Sequence, residues 1–136
     1  MDFNSISQKI NEFVDEHQTE LAEFDLVIGV SRGGLIPAVF VATKLDKKLS
    51  TAYIDRQNNV YFDRPEWIKN KKVLLIDDIC RSGLTLSTIK KLIQSASPKL
   101  IKTFTLYCLS SSTFKPDFTT LIENDLKFPW DWPRVG

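Results

Sequence analysis

Two adjacent acids, Asp77 and Asp78, close a short apolar run at 73–76. A turn containing Ser82 and Gly83 follows, and the apolar spacing of a helix begins just after it. A helix N-terminus offers unbonded backbone N–H groups and the positive end of the helix dipole, which suit a phosphate. Because carboxylates bind Mg²⁺ or sugar hydroxyls, the segment predicts a sugar-phosphate site. A strand end alone would explain the two acids, and a helix cap alone would explain Ser82. Neither explains both features in this order.

A second candidate segment, Ser31-Arg32-Gly33-Gly34, follows the apolar run 26–30. The guanidinium of Arg32 can bind phosphate oxygens bidentately. The glycines let the backbone approach an anion and adopt positive φ. A Gly-Gly turn after a strand is common, so it is the pairing with the acidic segment that indicates chemistry. Together the two segments predict one loop for pyrophosphate and another for a ribose 5-phosphate.

The rest of the chain supplies the elements that must position these loops. Alternating strands and helices predict an α/β domain with a mostly parallel sheet, which binds ligands outside the carboxyl ends of its strands. The first helix is expected to be capped by Ser5. Residues 55–66 are expected to form a loop or a short hairpin. The predicted helices and strands are a first helix carrying Ile6, Ile10, Phe13, Val14 and Leu21, strands Leu26–Val30 and Leu49–Ile54, helix Leu35–Leu45, strand Val73–Ile76, helix Leu84–Ile93, and strands Leu100–Leu109 and Phe118–Ile122.

Composition favours one small cytoplasmic domain over residues 1–136. The net charge of +1 lacks the basic footprint of a nucleic-acid binder, so no nucleic-acid partner is expected. No apolar run approaches the roughly 20 residues of a membrane span, and the first ten residues do not resemble a signal peptide. The two cysteines, Cys80 and Cys108, have no CxxC spacing, which argues against a zinc site and suits a reducing cytosol.

The sequence 73–86, VLLIDDICRSGLTL, resembles the signature of type I phosphoribosyltransferases that binds 5-phosphoribosyl-1-pyrophosphate (PRPP). The sequence 30–38, VSRGGLIPA, resembles the pyrophosphate loop of the same family, above all in the bacterial and archaeal xanthine, guanine and hypoxanthine enzymes. Residues 115–118 and 128–130 are similar to the tail of that subgroup. The resemblance implies the type I phosphoribosyltransferase fold: a mostly parallel sheet flanked by helices, with a small C-terminal hood.

The resemblance also implies residue roles. Asp77 and Asp78 would bind the ribose hydroxyls and the Mg²⁺ of PRPP, and with Arg32 they would form the catalytic set. The implied reaction transfers ribose 5-phosphate to a nitrogenous, purine-like base and releases pyrophosphate. Exposed aromatics of the tail could serve a homodimer contact. Pyrophosphate would lie on Ser31, Arg32, Gly33 and Gly34, and the 5-phosphate on Ile79, Cys80, Arg81, Ser82, Gly83, Leu84 and Thr85.

Three positions depart from the purine-enzyme pattern, all in the half of the site that holds the base. Arg81 stands where those enzymes carry a third acid, and an arginine cannot take up a proton. Leu109 stands in place of a lysine, and Asp125 in place of a stacking aromatic, with Leu126 beside it lining the base pocket. Two interpretations stay open: an acceptor other than an ordinary 6-oxopurine, or a catalytically weak regulatory protein that binds PRPP or a nucleotide.

Overall fold

The computed structural model describes residues 2 to 131. Within them, the helices are α1 (Phe3–Glu16), α2 (Gln18–Leu21), α3 (Leu35–Leu45) and α4 (Leu84–Ser95), with a 3₁₀ turn at Pro65–Trp67. The strands are β1 (Leu26–Ser31), β2 (Lys48–Ile54), β3 (Val60–Phe62), β4 (Lys72–Cys80), β5 (Leu100–Leu109) and β6 (Phe118–Ile122). None of the helices in this part of the chain is long and apolar enough to cross a membrane.

The strands form one sheet in the order β3-β2-β1-β4-β5-β6. All neighbouring pairs are parallel except β2 with β3, which confirms the mostly parallel α/β sheet and makes the segment after β2 a hairpin. From β1 the chain moves outward to β2, whereas from β4 it moves outward in the other direction to β5. The strand order therefore reverses between β1 and β4, and such a switch point opens a crevice for ligands at the carboxyl ends of the strands.

Side-chain alternation along β4 packs the two faces of the sheet against different helices. Leu74 and Ile76 belong to a core shared with residues of α1 and α3. Val73 and Leu75 belong to a second core shared with residues of α4. These four side chains are fully buried, so β4 is held rigidly from both sides. Its carboxyl end is therefore a firm support for the two acids that follow the apolar run.

Strand β4 is longer than the sequence predicts, because the acids do not end it. Its parallel register with β5 continues through Ile79, which pairs with Tyr107, to Cys80, which pairs with Cys108. Ile79 and Cys80 are buried. The predicted phosphate turn is therefore shortened, and begins at residue 81.

The prediction that Ser5 caps α1 is wrong. Asp2 is the N-cap, and its Oδ1 accepts a hydrogen bond from the backbone N of Ser5 at 2.8 Å. Helix α1 also ends at Glu16, so Leu21 belongs to the separate short helix α2. An aspartate three residues before the bonded amide is a regular capping arrangement, which places the helix start earlier than the apolar spacing suggests.

Asp2→Ala should lower the melting temperature by roughly 2–6 °C, because a first-turn amide of α1 would lose its acceptor. Ser5→Ala should change it by less than about 1 °C, since only the backbone of Ser5 takes part in the cap. Thermal melts followed by circular dichroism at 222 nm would compare the two variants. Equal losses would mean that the Ser5 hydroxyl contributes to the cap.

Candidate functional site

The carboxylate of Asp78 lies directly against the loop that follows β1. A Cβ placed on Gly33 would overlap Asp78 Oδ2, so a glycine is needed for this approach. Asp78 Oδ2 accepts a hydrogen bond from Trp130 Nε1 at 2.8 Å, and Asp78 Oδ1 accepts one from the backbone N of Ile79 at 2.7 Å. Asp78, the glycine loop and the C-terminal segment therefore meet at one point, although they lie in three separate stretches of the sequence.

Gly34 packs even more closely, and against backbone. A Cβ on Gly34 would lie 2.7 Å from the carbonyl oxygens of both Val30 and Ile76. Its φ is −70°, and among the described glycines only Gly83 has a positive φ. The expectation that Gly33 and Gly34 adopt positive φ is therefore wrong. These glycines are needed because β4 leaves no room for a side chain.

The two acids have different contacts. Asp78 lies against the Gly33 loop and Trp130. Asp77 Oδ1 accepts a hydrogen bond from the backbone N of Asp78 at 2.8 Å. Burial raises the pKa of Asp77 well above its ordinary value, and the charge of Asp78 raises it further. A cation bound here would relieve that cost.

This donor set fits the magnesium ion that the resemblance implies. Two adjacent carboxylates offer the hard oxygen ligands that Mg²⁺ prefers, and burial with the charge of Asp78 raises the pKa of Asp77, a cost of ionisation that a bound cation would relieve. Among residues 2–131 there is no group of three or more His, Cys, Asp or Glu side chains able to hold a metal ion. Such a sparse set suits Mg²⁺, which keeps several waters and takes other ligands from substrate phosphates.

The turn at 81–83 leads from the end of β4 into α4. Gly83 is the N-cap residue with φ 87°, and a Cβ there would overlap Phe114. Ser82 Oγ accepts a weak hydrogen bond from the backbone N of Leu84 at 3.3 Å. The next amide, of Thr85, precedes the first intrahelical bond, so it remains available to an anion. Of residues 81–85 in the predicted 5-phosphate segment, Arg81, Ser82 and Leu84 are exposed, Thr85 is half-buried and Gly83 is buried.

Ile79 and Cys80, the first two residues of that predicted segment, lie in the strand and are buried. Cys80 Sγ lies 3.4 Å from Ser112 Oγ and 3.6 Å from the carbonyl oxygen of Phe114. Burial raises the pKa of Cys80 to about 11, so the thiol stays protonated at neutral pH. Its side chain anchors the 112–114 loop beneath the phosphate turn and does not face a ligand.

A cleft of about 1280 Å³ lies over these strand ends. It is bordered by the loop after β1, the β2–β3 hairpin, the end of β4 and the C-terminal segment 125–131. Small-molecule pockets usually measure about 300–1,000 Å³, so the cleft has room for more than one small ligand. Ser31, Arg32, Gly33, Asp78 and Arg81 line it, so most of the predicted pyrophosphate loop, one of the two acids and one residue of the predicted 5-phosphate segment share this space. Gly34, Asp77 and residues 82–85 do not line it.

The structure brings together only some of the residues predicted for the base pocket. Asp125 and Leu126 line the cleft. Arg81 does too, and its Nε donates to Asp125 Oδ2 at 2.8 Å, so two of the departing residues form an ion pair. Leu109 does not line the cleft, because it ends β5 in register with Ile122.

Trp130 is the functional side chain that sequence reasoning undervalued, since an aromatic in a tail suggests packing. It does stack on Phe128, with ring centroids 4.8 Å apart, but its indole also binds Asp78. Phe128 is buried and Trp130 is half-buried, so neither is an outward dimer surface as expected. The expected tail ran on to Pro133, which lies outside the described residues. Lys127, also missed, lines the cleft beside Leu126.

Comparison with protein families gives one match over nearly the whole chain. A family model described as "Phosphoribosyl transferase domain" matches residues 2–134. A xanthine-guanine phosphoribosyltransferase from Cereibacter sphaeroides is 30% identical over 118 residues, covering 77% of this chain and 68% of that protein. The transcriptional regulator GfcR of Methanocaldococcus jannaschii is 35% identical over 98 residues, covering 65% of this chain. That match covers 46% of the regulator, so the chain spans about half the length of this relative.

Solved structures give the same fold. A purine phosphoribosyltransferase from Pyrococcus horikoshii superposes with a TM-score of 0.84 at 24% identity, covering 100% of this chain and 96% of that one. At this identity the likeness concerns the fold, and it confirms the sheet flanked by helices that the resemblance implied.

Proposed function

Because the chain belongs to the phosphoribosyl transferase domain family, we propose that it transfers ribose 5-phosphate from PRPP to a nitrogenous base and releases pyrophosphate. Purine-like bases are the first acceptors suggested by the similar transferases. The activity would be that of a pentosyltransferase. Two free, buried thiols, Cys80 and Cys108, suit a reducing cytoplasm as its setting.

One observation carries this proposal: Asp78 and Gly33 touch across the switch point of the sheet. An acid for the ribose hydroxyls is thereby held beside a backbone loop for pyrophosphate. The N-terminus of α4 lies one short turn further along the chain, where the 5-phosphate would bind. An acid, a pyrophosphate loop and a helix N-terminus are the three elements that PRPP binding would need. The acid Asp78 and the loop line the cleft, and the helix N-terminus follows Arg81, which also lines it.

Each element has a distinct role in the proposed reaction. As the bond from ribose C1 to pyrophosphate breaks, Arg32 and the loop amides would stabilise the charge of the leaving group. Asp77 and Asp78 would hold the ribose hydroxyls while the ring nitrogen of the base attacks C1. Bound Mg²⁺ would supply charge neutralisation of the pyrophosphate. Residues 82–85 would fix the 5-phosphate, so the protein acts mainly by positioning.

Calorimetric titration with PRPP tests the proposal directly. Wild-type protein should bind PRPP with Mg²⁺ and at least about tenfold more weakly without it. The double variant Asp77→Asn/Asp78→Asn should lose the Mg²⁺-dependent part, a change of about 10- to 150-fold. Asp63→Asn, an exposed acid outside the cleft, serves as the control and should bind as the wild type does. No PRPP binding by the wild type would refute the proposal.

A second candidate is a regulatory protein that binds PRPP or a nucleotide without transfer. The 35% identity to a transcriptional regulator favours it, and so does an arginine at position 81, which cannot take up a proton from an incoming base. Pyrophosphate release across a panel of bases separates the two candidates. Release with any base supports the transferase, whereas binding of PRPP with no release supports the regulator. A homodimer stays a prediction. Phe128 and Trp130 do not form an exposed surface for it, and Trp132 lies outside the described residues.

A further inference from the structure

The ion pair between Arg81 and Asp125 lines the cleft beside Leu126 and Lys127, at the positions where the resemblance implies the base pocket. We propose that this pair selects the acceptor: Asp125 positions the guanidinium of Arg81 to bind a carboxylate carried by the nitrogen heterocycle. The inference rests on the proposed function, and it narrows the acceptor to an anionic, carboxylate-bearing ring. It makes Arg81 a specificity-determining residue and Asp125 its positioning partner.

The geometry leaves part of the guanidinium for a ligand. Arg81 uses Nε to bind Asp125 Oδ2 at 2.8 Å, across 44 residues of sequence. An arginine has five N–H donors in a planar fork, and the terminal nitrogens of Arg81 make no hydrogen bond with another residue in the part of the chain that the structure describes. The two side chains are 49% and 52% exposed, so a ligand in the cleft can reach them.

Four acids and four basic side chains line the cleft, so their formal charges balance, and an anion depends on cations that are not already bonded to an acid. Each acid accepts a hydrogen bond from the protein. Among the cations, the side chains of Arg32, Arg56 and Lys127 make no hydrogen bond with residues 2–131. Lys127 lies two residues beyond Asp125 in the sequence and also lines the cleft. The hydrogen bonds to these four acids are donated by Asn59 to Asp55, by Trp130 to Asp78, by Arg81 to Asp125 and by Phe128 to Asp131.

The chemistry of arginine excludes one kind of acceptor. Arg81 stays protonated, and Asp125 raises its pKa further, so it cannot remove a proton from the attacking nitrogen. A base whose attacking nitrogen must give up a proton to a side chain at this position is therefore a poor acceptor. Nicotinate meets both conditions, because its ring nitrogen carries no proton and its carboxylate lies on the same ring. Orotate offers the carboxylate but must lose the proton on its attacking nitrogen, so it tests carboxylate binding more directly than turnover. The planar fork of arginine matches a carboxylate through two parallel hydrogen bonds.

Acceptor binding and turnover should be measured separately. Calorimetry with and without saturating PRPP and Mg²⁺ would compare nicotinate and orotate with the neutral bases hypoxanthine, guanine and adenine. Pyrophosphate release would then give kcat/KM for each. We expect a carboxylate-bearing ring to be preferred by at least about tenfold in wild type, and Arg81→Gln to reduce that preference at least about tenfold. Arg81→Lys should retain part of it.

The matched control is Arg64→Gln, because Arg64 also pairs with an exposed acid, Glu66 at 3.6 Å, but lies outside the cleft. It should leave the preference unchanged. Arg81→Asp should move the preference toward hypoxanthine. The inference would be overturned if the wild type preferred neutral bases, or if Arg81→Gln did not alter the preference. The ion pair would then serve only to hold the C-terminal segment in place.

The two proposals fail in different ways. Carboxylate binding that depends on Arg81 but yields no pyrophosphate would support the inference and refute transfer. Pyrophosphate release with hypoxanthine alone would support transfer and refute the inference. No affinity for nicotinate or orotate, with or without PRPP, would also refute the inference.

Discussion

Gly33→Ala should weaken Mg²⁺–PRPP binding by about 10- to 100-fold while leaving the protein folded. The added methyl group would overlap Asp78 Oδ2, the far end of a side chain that can rotate. Rotation would break the bonds that Trp130 and the backbone N of Ile79 donate to this carboxylate. Bonds to a charged group contribute about 1.5–3 kcal/mol each, so the ligand-ready carboxylate would be lost. Calorimetry would measure the affinity, and circular dichroism the melting temperature.

Gly34→Ala should behave differently, because its methyl group would meet backbone. Carbonyl oxygens on β1 and β4 would lie 2.7 Å away and cannot move without separating the two central strands. We expect a loss of about 3 kcal/mol or more in the free energy of unfolding, seen in urea denaturation.

A double-variant cycle gives the sharper check on Gly33. In an Asp78→Ala background, Gly33→Ala should cause little further change in PRPP affinity, because the overlapping oxygen is gone. A full additional loss there would mean that Gly33 acts through its own backbone amide and not through Asp78. Similar melting temperatures for Gly33→Ala and Gly34→Ala would contradict the distinction between side-chain and backbone contact.

Asp77→Asn should make the ligand-free protein more stable at pH 8 and less able to bind Mg²⁺–PRPP. The folded-state pKa of Asp77 is raised above the ordinary value of 3.8, so the folded chain holds this proton more tightly than the unfolded chain does. The free energy of unfolding of wild type should therefore fall as pH rises from about 3.8 through the raised pKa. Asparagine cannot ionise, so the variant should escape that loss.

Thermal melts between pH 4 and pH 8 would test this. We expect the variant to melt about 3 °C or more above wild type at pH 8, with little difference at pH 4. Asp63→Asn, the exposed control, should show no such divergence. A variant less stable than wild type at pH 8 would contradict the prediction, and would mean that the ionised carboxylate stabilises the turn at Asp78. A residue that is kept for ligand binding often lowers the free energy of unfolding of the ligand-free protein.

Much of the fold could be predicted because its boundaries carry strong local signals. The Gly-Gly turn before Leu35 and the serine run after Leu109 mark the ends of α3 and β5, and both ranges match the structure. The end of β4 could not be read in this way. Adjacent acids suggest a strand end, but pairing with β5 extends the strand to Cys80, and such pairing is not a local property.

The approach of Asp78 to the Gly33 loop could be predicted, because each of the two segments is continuous in sequence and ends a neighbouring strand. The contacts across the rest of the cleft could not, because their side chains come from distant segments. Nothing local links Arg81 to Asp125, so each was read separately as a departure from a pattern, whereas the structure pairs them. Leu109 was placed by counting back along the chain, and the register of β5 with β6 leaves it outside the cleft.

The indole of Trp130 has a consequence for how the site can be observed. Its N–H is bonded to Asp78, and its ring stacks on Phe128. Indole emission is sensitive to hydrogen bonding and to nearby charge, so a ligand that engages this carboxylate would change the light that Trp130 emits. The chain therefore carries its own optical reporter at the position where ribose would bind, and occupancy of the site can be followed without any label.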